Sequence, residues 1–446
     1  MNTSEAFSHH RSSLLYKNIA ASVIAKGWSA IIVLLLVPVT LNCLGGYTNG
    51  VWLTISSMLL WIDNLDIGLG NGLRNKLATC MAHGDIQQAR RFISSTFAIL
   101  ACMMVLAIIL LIAIVLFFDT YGFLNVDPKL VTTLDTVLII VIILVCSTFV
   151  FKLIGNFYMG LQLPAVSNLL IAAGQTLTLI STYVIFHMGS HSLVHIALAN
   201  TIPPLIVYLL AYPYTFFYKY PKLRPRLSLA SFKEAIGVMN LGAQFFVMQI
   251  SGVILFMSSN ILISQFFSPS MVTPYQIAYR YFSLFLVISN VICMPFWNAT
   301  TDAYERGDIQ WIYKASQKLR LITIGIFIGM VIMVLVSNYV YEIWIGDEIN
   351  IDIKMSAAMA VYIFILIYSI RYSFFINGIG TLRLQLIMTA TAAILFIPLA
   401  YVATQMTNSI IWFIAVMCIV NLPGLIANRI QFNKLIHGTA TGIWKK

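Results

Sequence analysis

The sequence predicts an all-α polytopic membrane protein, and three observations predict it. Apolar runs of about twenty residues recur along the whole chain, each long enough to cross a hydrocarbon core of about 30 Å. Only 9% of the 446 residues are charged, against about 25% in soluble globular proteins. The 26 lysines and arginines also fall unevenly between alternate connections.

Hydropathy places about twelve transmembrane helices near residues 16–42, 50–70, 92–118, 132–151, 167–187, 195–217, 236–266, 274–297, 321–341, 355–376, 386–404 and 410–428. With both ends on one side, that side holds 22 of the 26 basic residues, the other only Lys129 and Lys354, and Lys26 and Arg280 lie within spans. This bias puts both termini in the cytoplasm. The net charge of +11 therefore reports topology and contact with anionic membrane lipid, not nucleic acid. The polar start, followed by an apolar run without a small-residue cleavage site, reads as lacking a removable signal peptide.

The outer connections are short, the longest near 342–354 ("EIWIGDEINIDIK"). The longest inner one, "YKYPKLRPRLSLASFKE" at 218–234, is rich in Pro and basic residues and falls at the midpoint. It divides the chain into an N-terminal six-helix lobe (1–217), a cytoplasmic linker (218–234) and a C-terminal six-helix lobe (235–446). "HGDIQQARRF" follows the second span and "RGDIQWIYKA" the eighth, so GDIQ recurs at 84–87 and 307–310, an offset of 223, half the chain. Six helices per lobe make this a parallel repeat, and such architectures bind substrate between the halves near the midplane.

Candidate binding residues come from polar groups in apolar spans. A lysine at the centre of a span costs about 2.5–3.5 kcal/mol on insertion scales. On the first helix Asn18, Ser22, Lys26 and Ser29 fall within about 80° of one another, and Thr40 extends the stripe if Pro38 leaves the register intact. Lys26 in a polar stripe reads as lining a wet interior, with a structural interhelical contact as the alternative. On the eighth helix Gln276, Arg280, Ser283, Asn290 and Asn298 form a second stripe; Arg280 lies near the outer end, where snorkelling is open to it. The seventh carries Asn240, Gln244, Ser251 and Ser258 in line, while Gln249, the repeat partner of Lys26, faces away.

The second helix carries acids in "WIDNLDIGLGNGLRNK". Asp63 and Asp66, three apart, share a face and suit either ion coupling or a structural network in which Asp66 pairs with Arg74 or Arg371. Gly68, Gly70 and Gly72 make no phosphate loop, since neither GxGxxG nor GxxxxGKS is present. His187, His191 and His195 are spaced by four, but Gly189 and "MGSHS" interrupt the helix that a metal site would need. The six cysteines are scattered without a CxxC pair. Neither a metal nor a cofactor is expected. No catalytic constellation emerges, and an intramembrane polysaccharide polymerase would want a sizeable outer loop, so the chain does not read as an enzyme.

The segment "GGYTNGVWLTISSMLLWIDNLDIGLGNGLRNKLATCMAHGD" (45–85) resembles the signature region of the bacterial O-antigen flippases, the Wzx-type polysaccharide exporters. Trp52, Trp61, Asp66, Gly68, Gly70, Gly72, Arg74 and Asn75 form its core. "PFWNATTDAYERGDIQWI" (295–312), "NGIGTLRLQL" (377–386) and "LPGLIANRIQFNKL" with "TATGIW" (422–444) extend the likeness through nearly the whole chain. The resemblance implies the fold of the multidrug/oligosaccharidyl-lipid/polysaccharide (MOP) exporter superfamily, with two six-helix lobes around a central cleft. It implies a bacterial inner-membrane location and, as substrate, an undecaprenyl-pyrophosphate-linked oligosaccharide moved from the cytoplasmic to the periplasmic leaflet by alternating access. A polysaccharide polymerase and a chain-length regulator are the implied protein partners. An anionic pyrophosphate calls for cations, and Lys26 and Arg280 are the candidates, with Ser22, Ser29, Gln276, Ser283 and Asn290 beside them. Asp63, Asp66, Arg74 and Arg371 are expected to serve ion coupling or the structural network. The rival reading is a multidrug and toxin extrusion antiporter, whose cationic substrates favour an acidic cavity.

Overall fold

A computed structural model describes residues 3–62, 69–234, 255, 258–346, 349–407 and 409–445. Hydrocarbon offers backbone amides no partner, so a spanning chain must satisfy them within helices. The described residues accordingly form helices joined by short connections, with no strand among them. Ten of these helices are long and apolar enough to span a membrane. The second and seventh predicted spans run into residues outside the described set. The chain divides into two compact units, 1–246 and 247–446.

In the first unit, α1 (Thr3–Ile62) bends at Gly45, whose φ of 69° interrupts the helical path, a conformation open to glycine without steric cost. The predicted loop between the first two spans is thus only a kink. α2 (Leu69–His83), α3 (Ile86–Phe117), the short α4 (Thr120–Leu124), α5 (Leu134–Gly160), α6 (Pro164–His187) and α7 (Leu193–Pro213) follow. α1 packs on α6, where Trp28 Nε1 donates to Thr176 Oγ1 at 3.0 Å, and α5 packs on α3 and α7. The connection after α7 lies along α3. Arg90 Nε donates to the Arg224 carbonyl at 2.8 Å, while Ser94 and Ser95 accept from the Arg226 and Ser231 amides at 3.0 and 2.9 Å.

The second unit contains α8 (Ser259–Phe266), α9 (Pro269–Glu305), α10 (Ile309–Ile345), α11 (Ile353–Ile379), α12 (Arg383–Thr407) and α13 (Ile410–Ile436). α11 is the central helix, packing on α9, α10 and α13. Its end anchors a buried cluster in which Tyr372, Phe375 and Ile376 meet Phe432, Leu319 and Ile312. The expected outer loop at 342–354 is shorter than its composition suggested. Helix α10 continues through Glu342 and Trp344 until Gly346, at φ 73°, ends it. The connection at 118–133, which holds α4, is longer.

The two GDIQ segments form the same turn. Gly84 and Gly307 have φ of 72° and 74°. Asp85 and Asp308 each donate their amide to a carbonyl five residues back, at 2.9 and 2.8 Å. Each aspartate then caps the next helix, accepting from Gln88 N and Trp311 N at 2.9 Å. Packing repeats as well. α5 begins at residue 134 and α11 at 353, an offset of 219, and each has 27 residues. Near their ends Gly160 and Gly378 let a neighbouring helix approach closely. A Cβ on Gly160 would lie 3.1 Å from the Arg74 carbonyl oxygen and 2.9 Å from Leu77, and one on Gly378 would lie 2.8 Å from the Trp297 oxygen and 2.7 Å from Thr300. Arg74 and Leu77 precede Trp297 and Thr300 by the GDIQ offset of 223 residues. The halves therefore share a turn and a glycine contact as well as four letters.

Gly378→Ala should lower stability by about 1–3 kcal/mol, the usual cost of forcing a methyl into a filled contact. Gly424→Ala, whose Cβ would meet Met388 at an ordinary 3.7 Å, should leave it unchanged. Thermal unfolding of both purified variants in detergent checks the contrast.

Candidate functional site

In the first unit the expected stripe is partly realised. Lys26 is exposed, and Ser29 is half-buried. The side chains of Asn18 and Ser22 lie outside the described set, as do Asp63 and Asp66. Thr40 does not extend the stripe. It is buried, and its hydroxyl donates to the Leu36 and Val37 carbonyls at 2.8 and 3.1 Å, the usual way a helical threonine satisfies itself. Arg74 is exposed on α2. On the same helix, burial first and then the Asp85 carboxylate push the Cys80 thiol above its usual range, so it is held as a thiol rather than a metal-binding thiolate.

In the second unit the α9 stripe is engaged within the unit. Gln276 Nε2 donates to Asn260 Oδ1 at 2.6 Å. Ser283 donates to the Arg280 carbonyl at 3.0 Å, and Asn290 to the Leu286 carbonyl at 2.9 Å. Arg280 itself is half-buried. The Asn298 side chain, Asn240, Gln244, Gln249 and Ser251 are outside the described set, and Ser258 is buried.

Beside that stripe lies a cavity of about 380 Å³, and it was not anticipated. Tyr279 and Leu286 of α9 face it, with Ser369 and Ser373 of α11, Gln385 and Thr389 of α12, and Asn421 and Asn428 of α13. Asn428 Nδ2 donates to Ser369 Oγ at 3.0 Å and Ser373 Oγ at 3.1 Å. Among the described residues, the Oδ1 of Asn428 and the Oε1 of Gln385 are buried without a hydrogen-bond donor. A buried acceptor left unmade costs about 1–3 kcal/mol, so the cavity suits water or another hydroxyl. Its lining residues carry no formal charge. The signal was available in the sequence: 369/373, 385/389 and 421/428 recur at four or seven residues, one polar line on each of three successive helices. It was missed because each line lacks a charged residue.

Arg371 is buried, 4% exposed, with its guanidinium 4.7 Å from the Tyr372 ring and 5.6 Å from that of Tyr368. It borders a different hollow, with Arg320, and not the α9 stripe. The expected Asp66 partner falls outside the described residues. The three histidines are separated by the helix break expected at Gly189: α6 ends at His187 and α7 begins at Leu193. His191 Nδ1 bonds the Cys43 carbonyl at 2.7 Å, and His195 Nδ1 bonds Ser190 Oγ at 2.7 Å.

No family model matches the sequence, and no curated protein does. Solved structures do. An inward-facing multidrug resistance MATE family transporter of the MOP superfamily aligns over 94% of this chain and 96% of its own, with TM-score 0.73 and 16% identity. An outward-facing one aligns over 96% of both chains, with TM-score 0.64 and 15% identity. A MATE structure in the straight conformation aligns over 95% of this chain and 96% of its own, with TM-score 0.65 and 15% identity. The protein is a multi-pass membrane protein with the fold of the MATE transporters of the MOP superfamily.

Proposed function

We propose that the protein is an O-antigen flippase, moving an undecaprenyl-pyrophosphate-linked oligosaccharide from the cytoplasmic to the periplasmic leaflet of the bacterial inner membrane. The observation that carries this reading is a pair of cations inside the spans: Lys26 on α1 and Arg280 on α9. A diphosphate needs cationic partners, and guanidinium and ammonium groups form the strong charge-assisted bonds it requires. A glycan crossing hydrocarbon would lose its hydroxyls' hydration at a cost of several kcal/mol per unpaired group. Ser29, Gln276, Ser283 and Asn290 give the two helices polar surface along which hydroxyls exchange water for side chains, and Ser22 is read with them.

The MATE-like fold is equally compatible with a multidrug antiporter, and two of the solved structures are named multidrug resistance transporters. The cations of α1 and α9 oppose cationic cargo and support an anionic one. Alternating access is the cycle the fold supports in both readings. Asp63 and Asp66, with Arg74 and Arg371, are read as serving ion coupling or a structural network; if they couple, the ion's gradient sets the direction of transport.

Lys26→Ala and Arg280→Ala should each cut surface polymer about tenfold or more, as expected for losing one charge-assisted hydrogen bond of roughly 1.5–3 kcal/mol. Both variants should still reach the membrane, Lys26→Arg should retain export, and unpolymerised units should accumulate inside; wild-type polymer from both alanine variants removes the cation argument. In membrane vesicles, collapse of one of the two gradients, proton or sodium, should slow translocation, and Asp63→Asn or Asp66→Asn should abolish that dependence. Transport unaffected by either collapse would remove the coupling role.

A further inference from the structure

We propose that the hollow between α10 and α11, headed by Arg320 and Arg371, binds the phosphate headgroup of an anionic phospholipid. This site is separate from the transport reading and does not depend on it. The hollow measures about 340 Å³ and is lined by Arg320, Thr323, Tyr368 and Arg371, with Phe327 and Phe364 further along.

Arg371 supplies the strongest argument. It is 4% exposed, the rings of Tyr372 and Tyr368 cover its guanidinium, and its Nε is buried with no hydrogen-bond partner. The charged side chains that act on it among the described residues are Arg320 and Arg429, both cations. Among the described residues, then, the two charged groups acting on Arg371 are further guanidiniums and none is a carboxylate. A buried charge without a partner is strongly destabilising. A phosphate matches the planar fork of arginine, accepting two parallel N–H bonds from one guanidinium while a second reaches its remaining oxygens. Thr323 lines the same hollow and is not required as a donor, since its hydroxyl bonds the Leu319 carbonyl at 2.7 Å.

The surroundings select a lipid over a free anion. Beyond the arginines, α10 presents Ile324, Phe327, Ile328 and Val331, each 43–54% exposed. Phe327 and Phe364 meet at 5.0 Å between ring centroids and floor the hollow. A headgroup held by the guanidiniums would lay its acyl chain on this apolar track, for which a free phosphate has no use. Arg320 lies in the first third of α10, and Arg371 and Arg429 lie in the last third of α11 and α13. Successive spans alternate in direction, so all three belong to one membrane face. The basic bias makes that face cytoplasmic, where basic pockets between helices receive anionic headgroups.

The test is native mass spectrometry of the full-length protein in detergent, titrated with phosphatidylglycerol or phosphatidylethanolamine. Phosphatidylglycerol should bind at least about fivefold more tightly, the factor expected for roughly one net charge contact near the surface. Arg320→Gln, at an exposed side chain, should lower that preference, and Arg371→Gln, if it folds, should lower it further. Equal binding of the two lipids, or an undiminished preference in Arg320→Gln, overturns the proposal. Inorganic phosphate in equal amount should not displace the lipid; displacement assigns the hollow to a free anion and overturns the lipid assignment.

Discussion

In a hydrocarbon slab a polar group must be bonded, wet, or near the end of its helix, and this constraint orders the whole structure. It fixes the backbone as helix and then sorts the side chains. Thr40, Thr96, Thr182 and Thr323 each donate to a carbonyl four residues earlier, which satisfies their hydroxyl protons within the helix. Among the described residues, the polar groups that carry the functional argument are Lys26 and Arg280 within spans, Arg371 beside its two tyrosine rings, and the amide and hydroxyl lining of the cavity between α9, α11, α12 and α13.

A second constraint is close packing without strong charge. Gly160 and Gly378 permit a carbonyl to approach within about 3 Å of where a Cβ would stand, and small residues serve this purpose where no hydrophobic force holds helices together. The same contact and the same aspartate-capped turn occur in each half, so each half folds on the same local instructions. The chemistry has diverged while the instructions have not. Lys26 stands in one half, and its counterpart in the other is Gln249.

Much of the fold was legible because the bilayer enforces length, hydropathy and charge bias together. The helix boundaries were less so. Gly45 reads as a loop but makes only a kink, since glycine's left-handed φ turns the chain without a break in the helix. The segment at 342–354 looked like a loop because Gly346 and the acids after it are loop-like, yet the helix persists to Ile345. The candidate binding residues were chosen where a formal charge marked them. The uncharged cavity was not, although its serines, threonine and asparagines were spaced at four and seven. Arg371 was noticed, but its neighbours Arg320 and Arg429 come from helices distant in sequence, and no spacing rule joins them.

The solved structures that share this fold include multidrug resistance transporters, so the choice of cargo is the point on which the account turns. The most direct measurement uses vesicles holding only the purified protein. A fluorescent polyprenyl-diphosphate oligosaccharide is placed in one leaflet, its arrival in the other is read by exposure to an added glycosidase, and uptake of a cationic dye is followed in parallel. The account predicts glycan-lipid transfer well above protein-free vesicles and no dye transport. Dye transport with glycan-lipid transfer at the protein-free rate would contradict it.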